Sequence, residues 1–325
     1  MKNSSKWIIT ALCLILLGAI LAGIILFGSG CSYEGFKGEK VTQVSYTPEG
    51  EFDRIDVNVD ISGVTFEVSQ EGALRVECYE SEHLKHDVTV ENGALVIKQQ
   101  KDSRKWYEKI FNLGVFNMDQ YKVKVFLPGS EFSSLTVEND TGSVNVPDGF
   151  KFDSVRVGSD TGAVTIGAIN AETLSLVMDT GAVKVKGAQV GSLDISTDTG
   201  VVNVSSVNAE NVMIETDTGV VTVEDVACGA FTAESDTGAV KLVNVNVEGR
   251  LKVENDTGTI RFDKCSAGSI DASADTGSIT GTLTSEMVFD ARSSTGSVKV
   301  PDSTTGGECR LRTSTGSIKI EYAGN

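Results

Sequence analysis

A Thr-Gly step recurs ten times in this 325-residue chain at spacings of 19 or 20 residues, and nothing else in the sequence restricts the fold as strongly. The glycines are Gly142, Gly162, Gly181, Gly200, Gly219, Gly238, Gly258, Gly277, Gly296 and Gly316. In the first eight copies an aspartate precedes the threonine: Asp140, Asp160, Asp179, Asp198, Asp217, Asp236, Asp256 and Asp275. The last two copies carry Ser294 and Ser314 instead.

Around each glycine the apolar residues fall at every second position. Two after it stands Val or Ile in every copy, from Val144 to Ile318, with Val298 in the ninth. Four after it the residue is again apolar, except at Gly281. Five and seven before it lie further apolar columns, the latter running from Leu135 through Phe231 and Phe289 to Cys309. A period of two marks half-buried strands, so each copy reads as strand, Asp-Thr-Gly turn, strand and second corner. One such unit cannot bury its apolar face alone, but stacked units can. The sequence therefore predicts an all-β, single-stack parallel β-solenoid (β-helix-like) of 19–20-residue rungs. With rungs about 4.8 Å apart, ten of them make a rod about 48 Å long.

Cys228, Cys265 and Cys309 then fall two rungs from one another, beyond the Cα separation of about 7 Å that a disulfide spans. Cys265 and Cys309 take apolar columns and read as buried filler. The six cysteines have neither the spacing of a disulfide framework nor C-x-x-C pairs.

Before the repeats, Trp7 to Phe27 is an uncharged run of 21 residues. As a helix it would span about 30 Å, the thickness of a bilayer's hydrocarbon core, and it predicts one transmembrane helix ahead of the solenoid. Cleaved signals usually have shorter apolar regions. A lipoprotein reading competes, with Cys31 lipidated after Gly28-Ser29-Gly30, although Gly28 stands where a lipobox usually has Leu. Both readings place the rest of the chain outside the membrane. The expected organisation is a cytoplasmic stub at 1–6, the span at 7–27 and a linker at 28–44. Degenerate β-rungs follow at 45–130, with a capping or insert segment at 101–120, and the ten-rung solenoid fills 131–325.

Within 45–130, Phe52 to Val68 resembles a rung with Ser62-Gly63 at its turn. Residues 101–120 set Lys101, Arg104, Lys105 and Lys109 beside Trp106, Tyr107 and Phe111 at helical spacing, which suits a cover over the solenoid. The sharper alternative is a basic-aromatic patch that touches a membrane surface or partner. At the other end Arg292, Lys299, Arg310, Arg312 and Lys319 gather, and such charges discourage end-to-end stacking.

A formal net charge of −17 argues against nucleic acid, whose phosphates are bound by Lys and Arg. Cations and cationic ligands are attracted instead. The eight aspartates, one per rung, would repel their neighbours by about 0.9 kcal/mol per adjacent pair even in water. Hard cations would relieve that repulsion, so Asp140, Asp160, Asp179, Asp198, Asp217, Asp236, Asp256 and Asp275 are candidate cation-binding residues and Ca²⁺ the candidate ion. The plainer reading is turn chemistry, with Asp bonding nearby backbone and Gly taking positive φ. Asp-Thr-Gly is also the triplet of aspartic proteases, but those enzymes need two facing aspartates and a file of eight provides none. The only histidines lie in Glu82-His83-Leu84-Lys85-His86-Asp87, with Cys78 nearby, and read as a solvated loop in preference to a metal site. No catalytic residues, cofactor or resident metal are assigned.

The serial Asp/Ser-Thr-Gly-[Ala/Ser/Val/Thr]-[Val/Ile]-x-[Val/Ile] units from Asp140 to Ile320, with the Phe126-Leu127-Pro128-Gly129 step before them, resemble the bacterial "putative adhesin" family. That family is a β-strand-repeat domain of unknown function, and the likeness covers most of 45–325. The resemblance implies an N-terminal membrane anchor and supplies no catalytic residues. The expected protein is a non-enzymatic, single-pass cell-membrane protein with its C-terminal domain extracytoplasmic. It would act as an adhesin-like or envelope-scaffold module toward an envelope protein or surface ligand. The alternatives are an envelope-stress sensor working through a membrane partner, and a polysaccharide-acting β-helix enzyme.

Overall fold

The computed structural model describes residues 40–100 and 120–324. The expected span at 7–27, Cys31 and nearly all of the segment at 101–120 lie outside the described residues. Among those residues no helix is long and apolar enough to cross a membrane.

In chain order the strands are β1 (Thr42–Tyr46), β2 (Arg54–Val59), β3 (Gly63–Val68), β4 (Arg75–Glu80), β5 (His86–Glu91) and β6 (Ala94–Gln99). Then come β7 (Lys122–Leu127), β8 (Glu131–Val146), β9 (Lys151–Ile166), β10 (Asn170–Lys186), β11 (Gln189–Ser205) and β12 (Asn208–Thr276). The chain closes with β13 (Ile279–Leu283), β14 (Met287–Thr295), β15 (Val298–Lys299), β16 (Gly307–Thr315) and β17 (Ile318–Tyr322).

From β8 to β12 the layers pair in parallel, like residue on like residue. Leu135 meets Val155, Val155 meets Leu174, Leu174 meets Leu193, and Leu193 meets Val212. The inward columns read from the alternation are buried here, and they merge into one apolar core along the stack. Branched side chains suit this pleated stacking, and each fully buried Val or Leu contributes about 1.5–3 kcal/mol. The parallel β-solenoid is thus the observed fold.

The triplets behave differently from the expected turns. β8 runs unbroken from Glu131 to Val146, straight through Asp140-Thr141-Gly142, and β9 to β11 cross their own triplets in the same way. The strand continues through the triplet while the ladder skips only the aspartate, pairing Asn139 with Ser159 and Thr141 with Thr161 on either side. Gly162 has φ +150°, and a Cβ built on it would stand 1.8 Å from the Gly142 carbonyl oxygen. No side chain fits in that gap, so close approach of stacked backbones fixes glycine there more firmly than turn preference does.

Just before the aspartate or serine of the triplet the column turns inward again, and it is polar in most copies, with Met178 and Ala274 the apolar exceptions. Asn139, Ser159, Thr197, Thr216, Ser235, Asn255 and Thr313 are all buried. Where these groups bond, they reach the corner glycine of the layer beneath. Asn255 Nδ2 donates to the Gly238 carbonyl at 3.1 Å and Thr313 Oγ1 to the Gly277 carbonyl at 2.9 Å.

At both ends the stacking order departs from chain order. At the C-terminal end β16 lies between β12 and β14, since Cys309 pairs with Ile270 on one side and Phe289 on the other. β17 likewise lies between β13 and β15. The tenth copy therefore sits inside the ninth, and Cys309 comes one layer nearer the stack below than the repeat count implies. The cysteines Cys78, Cys228, Cys265 and Cys309 are all free and buried. The ninth copy becomes the outermost layer, which is why Val298, read as inward, is 43% exposed. Of the terminal basic residues, Arg292 and Lys299 lie on this last layer, and Arg312 pairs with Asp290 across to it.

At the N-terminal end β2 and β3 stack directly on β8, and β6 and β7 stack outside them. Phe52 just before β2, Phe132 on β8 and Phe152 on β9 form a stacked aromatic file up three layers, with centroids 5.8 and 6.2 Å apart. The remaining strands are antiparallel: β5 pairs with β6, β7 with β4, and β4 with β1. These close the N-terminal end as a hairpin cap in place of further rungs.

Candidate functional site

The register of the stack places the predicted aspartates in one exposed file. The residues flanking them pair in order, Thr141 with Thr161, Thr180 with Thr161, Thr199 with Thr180 and Thr218 with Thr199. The glycines then carry the file upward, Gly238 on Gly219, Gly258 on Gly238 and Gly277 on Gly258. All eight carboxylates face solvent. The structure adds a ninth, Asp60, because Val59 pairs with Asn139. Partial burial and the negative charges of Asp60 and Asp160 raise the Asp140 pKa above its usual value. Asp60 does not follow the triplet pattern, because Asp60-Ile61-Ser62-Gly63 holds one residue more.

On another side of the rod, β9 to β12 line an open hollow of about 530 Å³. Its charged groups are Lys151, Asp153, Glu172 and Glu210, and Gly191 also lines it. Glu172 and Glu210 also edge a neighbouring hollow along the same flank.

A third arrangement lies in the N-terminal cap and corrects the solvated-loop reading. His83 is exposed, but His86 is buried, together with Cys78 and Glu80. On β4 the alternation Val76, Cys78, Glu80 turns all three residues inward. Glu80 thus occupies an apolar position, a signal already present in the sequence. Its Oε1 accepts from the Tyr46 hydroxyl at 2.7 Å and from the His86 backbone N–H at 2.9 Å, and it faces His86 Nδ1 at 3.3 Å. Lys85 Nζ stands 3.5 Å from Oε2. His86 Nε2 is buried without a hydrogen-bond partner. Burial lowers the His86 pKa and outweighs the opposing pull of Glu80, so the ring is neutral near pH 7. Burial, with the nearby Glu80 charge, pushes the Cys78 thiol up to about 12.

Parallel layers about one glycine column, with a hairpin cap, define an all-β solenoid protein built of strand repeats. The chain belongs to the Toastrack DUF4097 family, whose pattern matches residues 52–321. Among solved structures it is similar to a putative adhesin from Parabacteroides distasonis ATCC 8503, at 12% identity and TM-score 0.50, covering 87% of this chain and 98% of that one. A putative adhesin from Bacteroides fragilis NCTC 9343 matches at 14% identity and TM-score 0.37, covering 87% and 97%. A protein described as a putative lipid binding protein from Parabacteroides distasonis matches at 14% identity and TM-score 0.42, covering 88% and 98%. No curated protein matches the chain. At such identities the likeness speaks for the fold alone.

Proposed function

We propose that this chain is a non-enzymatic binding module held at the cell membrane by residues 7–27, with its solenoid outside the cytoplasm. The observation that carries the reading is the open flank of β9 to β12. There Asp153, Glu172 and Glu210 line a broad, shallow hollow on a continuous parallel ladder. A rigid ladder presents such a flank with little ordering cost on binding, which suits an extended partner better than a small substrate. The acidic lining and the net charge of −17 favour a cationic or neutral envelope partner. The adhesin names of the structural neighbours point the same way, to an adhesin-like or scaffold role.

Two linked measurements test this. Protease added to intact cells should digest the solenoid, and the chain should fractionate with membranes. Envelope material captured by the full-length protein should be lost on Glu172→Lys with Glu210→Lys. A chain recovered from the soluble cytoplasm, or capture unchanged by the double variant, would overturn the proposal.

A further inference from the structure

We propose that Cys78, Glu80 and His86 form a binding site for a zinc-class divalent cation, built into the N-terminal cap and independent of the rod's binding flank. The three side chains offer a sulfur, a carboxylate oxygen and an imidazole nitrogen, all within 4.8 Å of one another. That mixture suits a borderline-soft ion such as Zn²⁺ better than Ca²⁺ or Mg²⁺, which favour all-oxygen sets. Two ligand atoms about 2.0–2.1 Å from one tetrahedral metal lie about 3.3–3.4 Å apart. Glu80 Oε1 and His86 Nδ1 are 3.3 Å apart, already at that edge length. The Cys78 sulfur belongs to the same group within 4.8 Å, so the three ligand atoms need only close toward one another around an ion.

The surroundings fit the same assignment. The Tyr46 hydroxyl holds Glu80 from one side, as outer-shell donors hold ligating carboxylates. Binding would release the thiol proton, leaving a thiolate–metal bond, so affinity should rise with pH. Because β4 pairs with both β1 and β7 while His86 opens β5, one ion would tie the strands of the cap together.

The test uses the full-length chain in detergent micelles, stripped with chelator and titrated with Co²⁺ and then Zn²⁺. We expect one equivalent of metal, a thiolate-to-cobalt charge-transfer band, and its displacement by Zn²⁺. Cys78→Ser should abolish the band, Cys31→Ser should leave it intact, and Tyr46→Phe should weaken binding about tenfold. Elemental analysis and the Zn²⁺-induced rise in thermal midpoint are read on the unaltered chain, so they stand even if Cys78→Ser misfolds. Metal well below one equivalent, no midpoint shift, or a band that survives Cys78→Ser overturns the assignment.

Discussion

Ile270 stacks against Cys309, two copies further along the chain, and Phe289 of the intervening copy lies beyond Cys309. The glycines repeat the order: a Cβ on Gly316 would meet the Gly277 carbonyl oxygen at 1.9 Å, and one on Gly296 would meet that of Gly316 at 2.0 Å. The Ser293 hydroxyl donates to the Gly316 carbonyl at 2.8 Å, the corner bond of a layer resting on the tenth copy.

This order sets the effect of truncation. Among the described residues β14 and β15 take their ladder partners only from β16 and β17. Deleting residues 307–325 should therefore release 287–299 as well, although that segment is left intact. Hydrogen exchange should show protection lost throughout 287–299 while the layers of β12 below Ile270, which have no partner in the deleted segment, stay protected. Retained protection at 287–299 would mean that the ninth copy can dock directly on the eighth.

The glycine column is intolerant of even one methyl group. A Cβ on Gly219 would lie 1.8 Å from the Gly200 carbonyl oxygen, with stacked backbone leaving neither side free to move. Gly219→Ala should cost about 3 kcal/mol or more, read as a fall in the urea midpoint. Gly72→Ala is the control, since a Cβ there meets nothing within 4 Å, although φ +65° adds its own strain.

The buried polar column should divide in two on substitution. Thr216 Oγ1 is buried without a partner, so Thr216→Val should be neutral or stabilising by about 1 kcal/mol. Thr313 Oγ1 donates to Gly277, so Thr313→Val should cost about 1 kcal/mol. Paired denaturant curves measure both.

Partial burial, with the neighbouring carboxylates, makes removal of the Asp140 charge stabilising. Asp140 has a raised pKa in the fold, so its ionised form is disfavoured at neutral pH and the penalty fades as pH falls through the raised value. Asp140→Asn should stabilise the protein at pH 7 by about 0.5 kcal/mol or less, because the group is largely exposed. The gain should shrink in high salt and near pH 4.

His86 sets a limit on acid stability. Its folded pKa is lowered below 6.5, so the unfolded chain takes up a proton that the folded chain refuses. Stability of the cap is complete above about pH 6.5 and is lost as pH falls from there toward the lowered value, by up to about 1.4 kcal/mol per pH unit. Hydrogen exchange at β5 between pH 7 and 5 should show this loosening, and His86→Gln should flatten it.

Much of the rod was legible because its information is periodic. Val144, Leu135 and their counterparts named the inward columns, and the register followed from equal spacing. The crossed order at the C-terminal end was not legible, since Cys309 is chemically as suited to lie over Ile270 as over Phe289 and the spacing is the same either way. The cap was hidden for another reason. Its partners, Tyr46, Cys78, Glu80 and His86, come from three strands brought together by antiparallel pairing, which no repeat encodes. Glu80 on an apolar alternation was the one local clue.

The tucked final layer also governs how the rod answers to load. A parallel stack whose last turn lay outermost could be peeled from its free end one ladder at a time. Here a tug on the C-terminus draws on residues that from Lys319 back along β16 are gripped on both edges, so two ladders must shear together before that turn comes away.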